Sequence, residues 1–155
     1  MRKLLCALLG CVLLLGCSGV AFAQGGAQAA GQTIYVPCST ATYHGPKNRQ
    51  LDLTITLIVR NLDTRRGITL TAVDYHRTDG ALVRRYLDKP VTLAPLAARE
   101  VVVEQSDSTG GSAASFLVRW RGDAGVNAPL AEAVMISTSN SLGISYVSRG
   151  VPIKE

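Results

Sequence analysis

From Leu51 to Val59 every second residue is apolar: Leu51, Leu53, Ile55, Leu57 and Val59. Asp52, Thr54, Thr56 and Ile58 fill the positions between them. A period of two, enriched in β-branched side chains, marks a half-buried strand. No other stretch answers it with a convincing apolar stripe at the helical period of 3.6, so the chain is constrained to fold from strands.

The rest of the chain reads the same way. Ile68, Leu70 and Ala72 alternate, then the phase moves to Val73 and Tyr75, and a slip of one residue within a strand predicts a bulge. Thr78-Asp79-Gly80 predicts a hairpin turn returning through Ala81 to Leu87. A short strand follows at Val91 to Leu93, closed by Ala94-Pro95, and another at Arg99 to Glu104. Ser106 to Ser112 (SDSTGGS) is a loop, and Phe116, Val118 and Trp120 form one face of the next strand. Glu132 to Thr138 and Gly143 to Ser148 complete a final pair around residues 139–142. Short strands joined by Gly, Pro, Asn and Asp turns predict an all-β fold. The expected form is an immunoglobulin-like antiparallel β-sandwich, with a closed barrel as the second choice. The sandwich is expected to bury Leu53, Ile55, Leu57, Phe116, Val118, Trp120, Val134 and Ile136.

A leader precedes this domain. Arg2 and Lys3 are followed by an apolar run from Leu4 to Gly16, and Ala21-Phe22-Ala23 is a small-x-small cleavage site. Residues 1–23 therefore read as a signal peptide. Leu14-Leu15-Gly16-Cys17 is a competing signal, a lipobox in which Cys17 would be lipidated. Residues 24–32 are small and polar, the composition of a flexible tether, and 33–155 form the single folded domain. The expected location is the periplasm or cell envelope, with membrane contact only through a lipid on Cys17.

Removing the leader changes the arithmetic. The loss of Arg2 and Lys3 leaves 14 basic against 11 acidic residues, a net charge of +3. That is ordinary and argues against a nucleic-acid partner, which calls for a clustered basic face. Of four cysteines, three lie in the leader, so Cys38 has no partner for an intramolecular disulfide once the leader is cleaved after Ala23. The expected role for Cys38 is a small buried apolar side chain.

Taken together, several segments resemble the bacterial family called Domain of Unknown Function 3124. They are Ile34-Tyr35-Val36-Pro37, Tyr43-His44-Gly45 with Lys47-Asn48-Arg49, Val73-Asp74-Tyr75 with Asp79-Gly80, and Arg85-Tyr86-Leu87. Leu93-Ala94-Pro95, Ser106-Asp107 with Gly110-Gly111-Ser112, Glu132-Ala133-Val134-Met135 and Gly143-Ile144-Ser145 with Ser148-Arg149-Gly150 continue the series. The resemblance spans about residues 33–151 and implies a small exported or lipid-anchored protein. It supplies no catalytic residues.

The residues themselves offer little chemistry. No serine sits in a G-x-S-x-G elbow, and neither histidine has an acidic neighbour at a telling spacing. No catalytic residue and no cofactor is expected. Cys38 and His44 are the weak candidates for a metal or thiol site, because they are six residues apart across a turn-prone segment. The segment from Tyr43 to Arg49 (YHGPKNR) carries more promise. Tyr43, His44, Lys47, Asn48 and Arg49 combine an aromatic ring, an imidazole and cations on one loop, and loops on a rigid scaffold often bind. With Arg149 they form the expected patch for a protein or envelope ligand. The expected function is thus a non-catalytic binding or structural module acting through loops or a sheet edge. The alternative is an envelope metal-binding or thiol-dependent protein using Cys38 and His44.

Overall fold

The computed structural model describes residues 30–138 and 143–154, and every regular element among them is a strand. The leader with Cys17, residues 24–29 of the tether and the turn at 139–142 lie outside the described residues. β1 (Gly31–Cys38) begins within the segment read as tether. A hairpin follows, β2 (Ala41–His44) and β3 (Arg49–Asp52), then β4 (Thr54–Arg60), β5 (Ile68–His76) and β6 (Leu82–Arg85). The chain continues through β7 (Val91–Leu93), β8 (Ala98–Val103), β9 (Ala114–Gly122), β10 (Leu130–Ser137), β11 (Ile144–Arg149) and β12 (Val151–Ile153).

The alternation at Leu51–Val59 keeps its phase but not its continuity. All five odd residues are buried. Yet β3 pairs only with β2, and the ladder breaks at Leu53 before β4 enters a larger sheet. The Leu53 amide donates to the carbonyl of Thr40 at 2.8 Å, which keeps the backbone satisfied across the break.

Two antiparallel sheets carry the fold. One runs β12-β1-β9-β5-β6, with β7 also on β5; the other runs β11-β10-β4-β8. Ile34, Val36, Phe116, Val118 and Trp120 of the first share one apolar cluster with Ile55, Leu57, Val101, Val103 and Met135 of the second. The two inner faces are therefore packed together, each fully buried aliphatic side chain contributing about 1.5–3 kcal/mol. The phase slip in β5 is a bulge: its register against β9 shifts between Leu70 and Ala72. Gly80 supplies the left-handed turn (φ 83°) between β5 and β6.

The chain changes sheet between β11 and β12, and the bend is at Gly150. A Cβ there would stand 2.6 Å from Ile34 Cγ2 and 2.8 Å from Val36 Cγ2, so a side chain would force the two layers apart. At the other side, the turn from Ala94 to Ala97 carries the chain from β7 to β8.

One expectation about the core is corrected. Val134 and Ile136 do not point inward; Ala133 and Met135 do, and Ile136 is 45% exposed. The register explains it. Ala133 lies opposite Leu57 and Met135 opposite Ile55, and cross-strand partners share a face. In an unbroken apolar run the side chains alone do not set the phase.

Two buried polar residues close one end of the molecule. Asn61 Nδ2 donates to the carbonyls of Arg66 (2.9 Å), Leu93 (3.3 Å) and Ala94 (3.0 Å), while its Oδ1 accepts from the amide of Asp63 at 2.9 Å. Asp63 accepts from the amides of Arg65 (2.9 Å), Arg66 (2.9 Å) and Asn127 (3.2 Å). Three backbone donors hold its carboxyl down at about 2. Arg66 completes the latch, donating to the carbonyls of Ala124 and Gly125.

Candidate functional site

The segment expected to be a binding loop is the tip of the β2–β3 hairpin. Gly45 to Asn48 make the turn, with left-handed φ at Gly45 (64°), Lys47 (73°) and Asn48 (48°). Such angles suit Gly and are tolerated by Asn, so Lys47 is the unusual member. His44 pairs with Arg49 across the ladder and Tyr43 with Gln50. Tyr43 is 57% exposed. The structure thus brings Tyr43, His44, Lys47, Asn48 and Arg49 together on a short antiparallel arm. What reading the residues as a loop missed is the strand pairing on either side of the turn.

The arm pairs with neither large sheet, but its root is fastened. Thr40 gives its amide (3.0 Å) and its hydroxyl (3.1 Å) to the carbonyl of Gly111, and Ser39 Oγ donates to the carbonyl of Ser112 at 2.8 Å. Gln105 Nε2 donates to the carbonyl of Asp52 at 3.2 Å. The Gly-rich loop after β8 therefore anchors the arm. The same loop accepts the amide of Thr78 on the Gly110 carbonyl at 3.0 Å, which ties in the β5–β6 turn.

Cys38 and His44 occupy different settings. Cys38 is buried at the end of β1, and burial pushes its thiol up to about 12. A groove of about 260 Å³ runs beside it between β1 and β11, lined among others by Tyr35, Met135, Tyr146 and Ser148. His44 is not among the lining residues. Among the described residues, no three His, Cys, Asp or Glu side chains gather as a metal would require. His76, at the end of β5, is half-buried with its Nδ1 unpaired.

Arg149 is set apart from the arm. It lies opposite Glu132, which lies opposite Ile58 on β4, whereas the arm joins β4 at Thr54. Four residues of strand, ~13 Å, separate those rows. Arg149 belongs instead to the outer face of the four-stranded sheet.

The outer face of the six-stranded sheet carries a charge cluster that sequence reasoning missed. Asp74 receives Arg119 Nη1 at 2.8 Å and lies 4.0 Å from Arg85 Nε. The three residues come from β5, β9 and β6, so only the strand order reveals their proximity.

No curated protein matches this chain. Among solved structures it is similar to the crystal structure of Thermotoga maritima 1070, at 7% identity over 77% of this chain and 92% of that one, with a TM-score of 0.47. The model of the family described as protein of unknown function (DUF3124) matches residues 31–153, nearly the whole of the described domain. The chain belongs to that family.

Proposed function

We propose that this protein is a non-catalytic binding module of the cell envelope, and that the β2–β3 arm is its binding element. One observation carries the reading. The arm stands outside both large sheets yet is rooted by four hydrogen bonds to the Gly-rich loop and to Gln105, and it presents Tyr43 at 57% exposure. A preorganised arm loses little entropy on binding, and an exposed Tyr is a common anchor at interfaces. The ligand is a protein or an envelope component bearing acidic groups, which Lys47 and Arg49 would meet.

Export rests on the leader at residues 1–23, and lipidation on Cys17 is the competing processing. The immunoglobulin-like reading of the fold rests on the β4–β8 and β5–β9 pairs, which match the B–E and C–F pairs of that fold, while β1 on β9 and β10 on β4 exchange the places of its first and last strands. The deep burial of Cys38 favours the binding reading over a thiol-dependent one.

A photo-crosslinking amino acid in place of Tyr43, introduced in the native cells, tests the proposal. A discrete adduct is expected at that position and none with the probe at exposed Thr92. Arg49→Ala in the probe-bearing chain should reduce the adduct several-fold while the circular dichroism spectrum stays unchanged. The absence of any adduct at position 43 overturns the proposal.

A further inference from the structure

The outer face of the four-stranded sheet is apolar at its centre. Its rows follow from the register. Val147, Val134, Thr56 and Val102 form one row across β11, β10, β4 and β8. Ser145, Ile136 and Thr54 lie on one side of it, and Arg149, Glu132, Ile58 and Glu100 on the other. Val147 is 59% exposed, Ile136 45% and Val102 44%. These side chains explain the unbroken apolar runs of β8 and β10. Antiparallel sheets commonly keep one face polar and solvated, and this one does not.

The charges on this face lie at its two edges. Arg149 stands at the β11 edge and Glu100 at the β8 edge of the same row, with Glu132 held by Arg60 at 3.6 Å between them. Consider a two-fold axis running along the strands between β10 and β4. It exchanges β11 with β8, so Arg149 of one copy faces Glu100 of the other, twice, and Val147 faces Val102. Aligned sheets pack in this way at ~10 Å separation, with their strands within ~30°.

We infer that the protein forms a two-fold dimer with a second copy of itself, the outer faces of the two four-stranded sheets packed together and Arg149 paired with Glu100 across the axis. Four strands ~4.8 Å apart and about seven residues long offer a face of roughly 19 by 23 Å. Two such faces cover roughly 900 Å², below the about 1,200 Å² at which stable specific interfaces begin, so the dimer is a weak, transient one.

Sedimentation velocity of the purified protein from about 1 to 300 μM tests this. The wild type should pass from monomer to dimer across that range. Arg149→Glu and Glu100→Arg should each weaken association about tenfold or more, and the double reversal should restore it. Val134→Lys should abolish it. Far-ultraviolet circular dichroism and thermal unfolding of each variant separate loss of association from loss of fold. A wild type that stays monomeric at 300 μM overturns the inference, and so does a dimer indifferent to Val134→Lys. A folded double reversal that fails to re-associate overturns the pairing of Arg149 with Glu100.

Discussion

Gly110 and Tyr75 set the tightest tolerance among the described residues. A Cβ on Gly110 would fall 1.8 Å from the Tyr75 hydroxyl and 2.8 Å from Ala114 Cβ. Tyr75 is fully buried against Phe116, ring centroids 4.9 Å apart, and cannot swing aside. Gly110→Ala should therefore cost about 2–3 kcal/mol, read from the urea midpoint, and a cost under ~0.5 kcal/mol would contradict this packing. Asn61 makes its four bonds while 1% exposed. Asn61→Ala removes all four bonds, with the Ala94 carbonyl keeping only the Ala97 amide at 3.1 Å, and should cost about 2–4 kcal/mol. Asp63 gives the fold an acid-sensitive element. Its carboxyl lies at about 2 when folded, below the ordinary 3.8, so the unfolded chain takes up the proton first. The stability it contributes is present above pH ~4 and lost as pH falls toward 2. The gap in urea midpoint between the wild type and Asp63→Asn should therefore narrow from pH 5 to pH 2; a gap independent of pH would contradict it. Cys38, its thiol pushed up to about 12 by burial, should resist iodoacetamide at pH 8 in the native protein and react once guanidinium unfolds the chain. Mass spectrometry of the Cys38 peptide gives the answer directly.

At the scale of the element, much was legible before any coordinates. The alternation in β3 and β4, the bulge in β5, the Asp79-Gly80 turn and the aromatic face of β9 each carried a local signal, and each stands where it was expected. The failure in β10 is equally local. Ala133-Val134-Met135-Ile136 is apolar at every position, so only the partner strand chooses the inward set. It chooses the small Ala133 opposite Leu57 and the adaptable Met135 opposite Ile55. Met135→Ala should therefore cost about 2–4 kcal/mol, whereas Ile136→Thr should stay within about 0.5 kcal/mol in dilute, monomeric protein. Equal costs, or the reverse order, would return Ile136 to the core. The hairpin was hidden for a different reason. Tyr43 to Arg49 contains Gly, Pro and Asn, which read as loop, and its strands are four residues long with one buried residue each.

At the scale of the whole molecule, less was legible, because it depends on which strands meet. Nothing in the local pattern pairs β1 with β9 or β10 with β4, and these pairings decide what sits on each outer face. They move Arg149 away from the arm and onto the four-stranded sheet, and they assemble Asp74 with Arg85 and Arg119. The resulting picture is a stiff two-sheet body with a separately paired arm fastened at its root. Stability should divide along the same line, since local opening follows the number of buried contacts each element makes.

Amide hydrogen exchange followed residue by residue is the most direct measurement of that picture. Amides of β4, β5 and β9 should exchange only through global unfolding, the Leu53 amide at the root of the arm should be nearly as slow, and those of residues 45–49 should exchange orders of magnitude faster. Equal protection from Leu53 through the tip, or fast exchange in β4 and β9, would contradict a rigid two-sheet body bearing a separately paired arm.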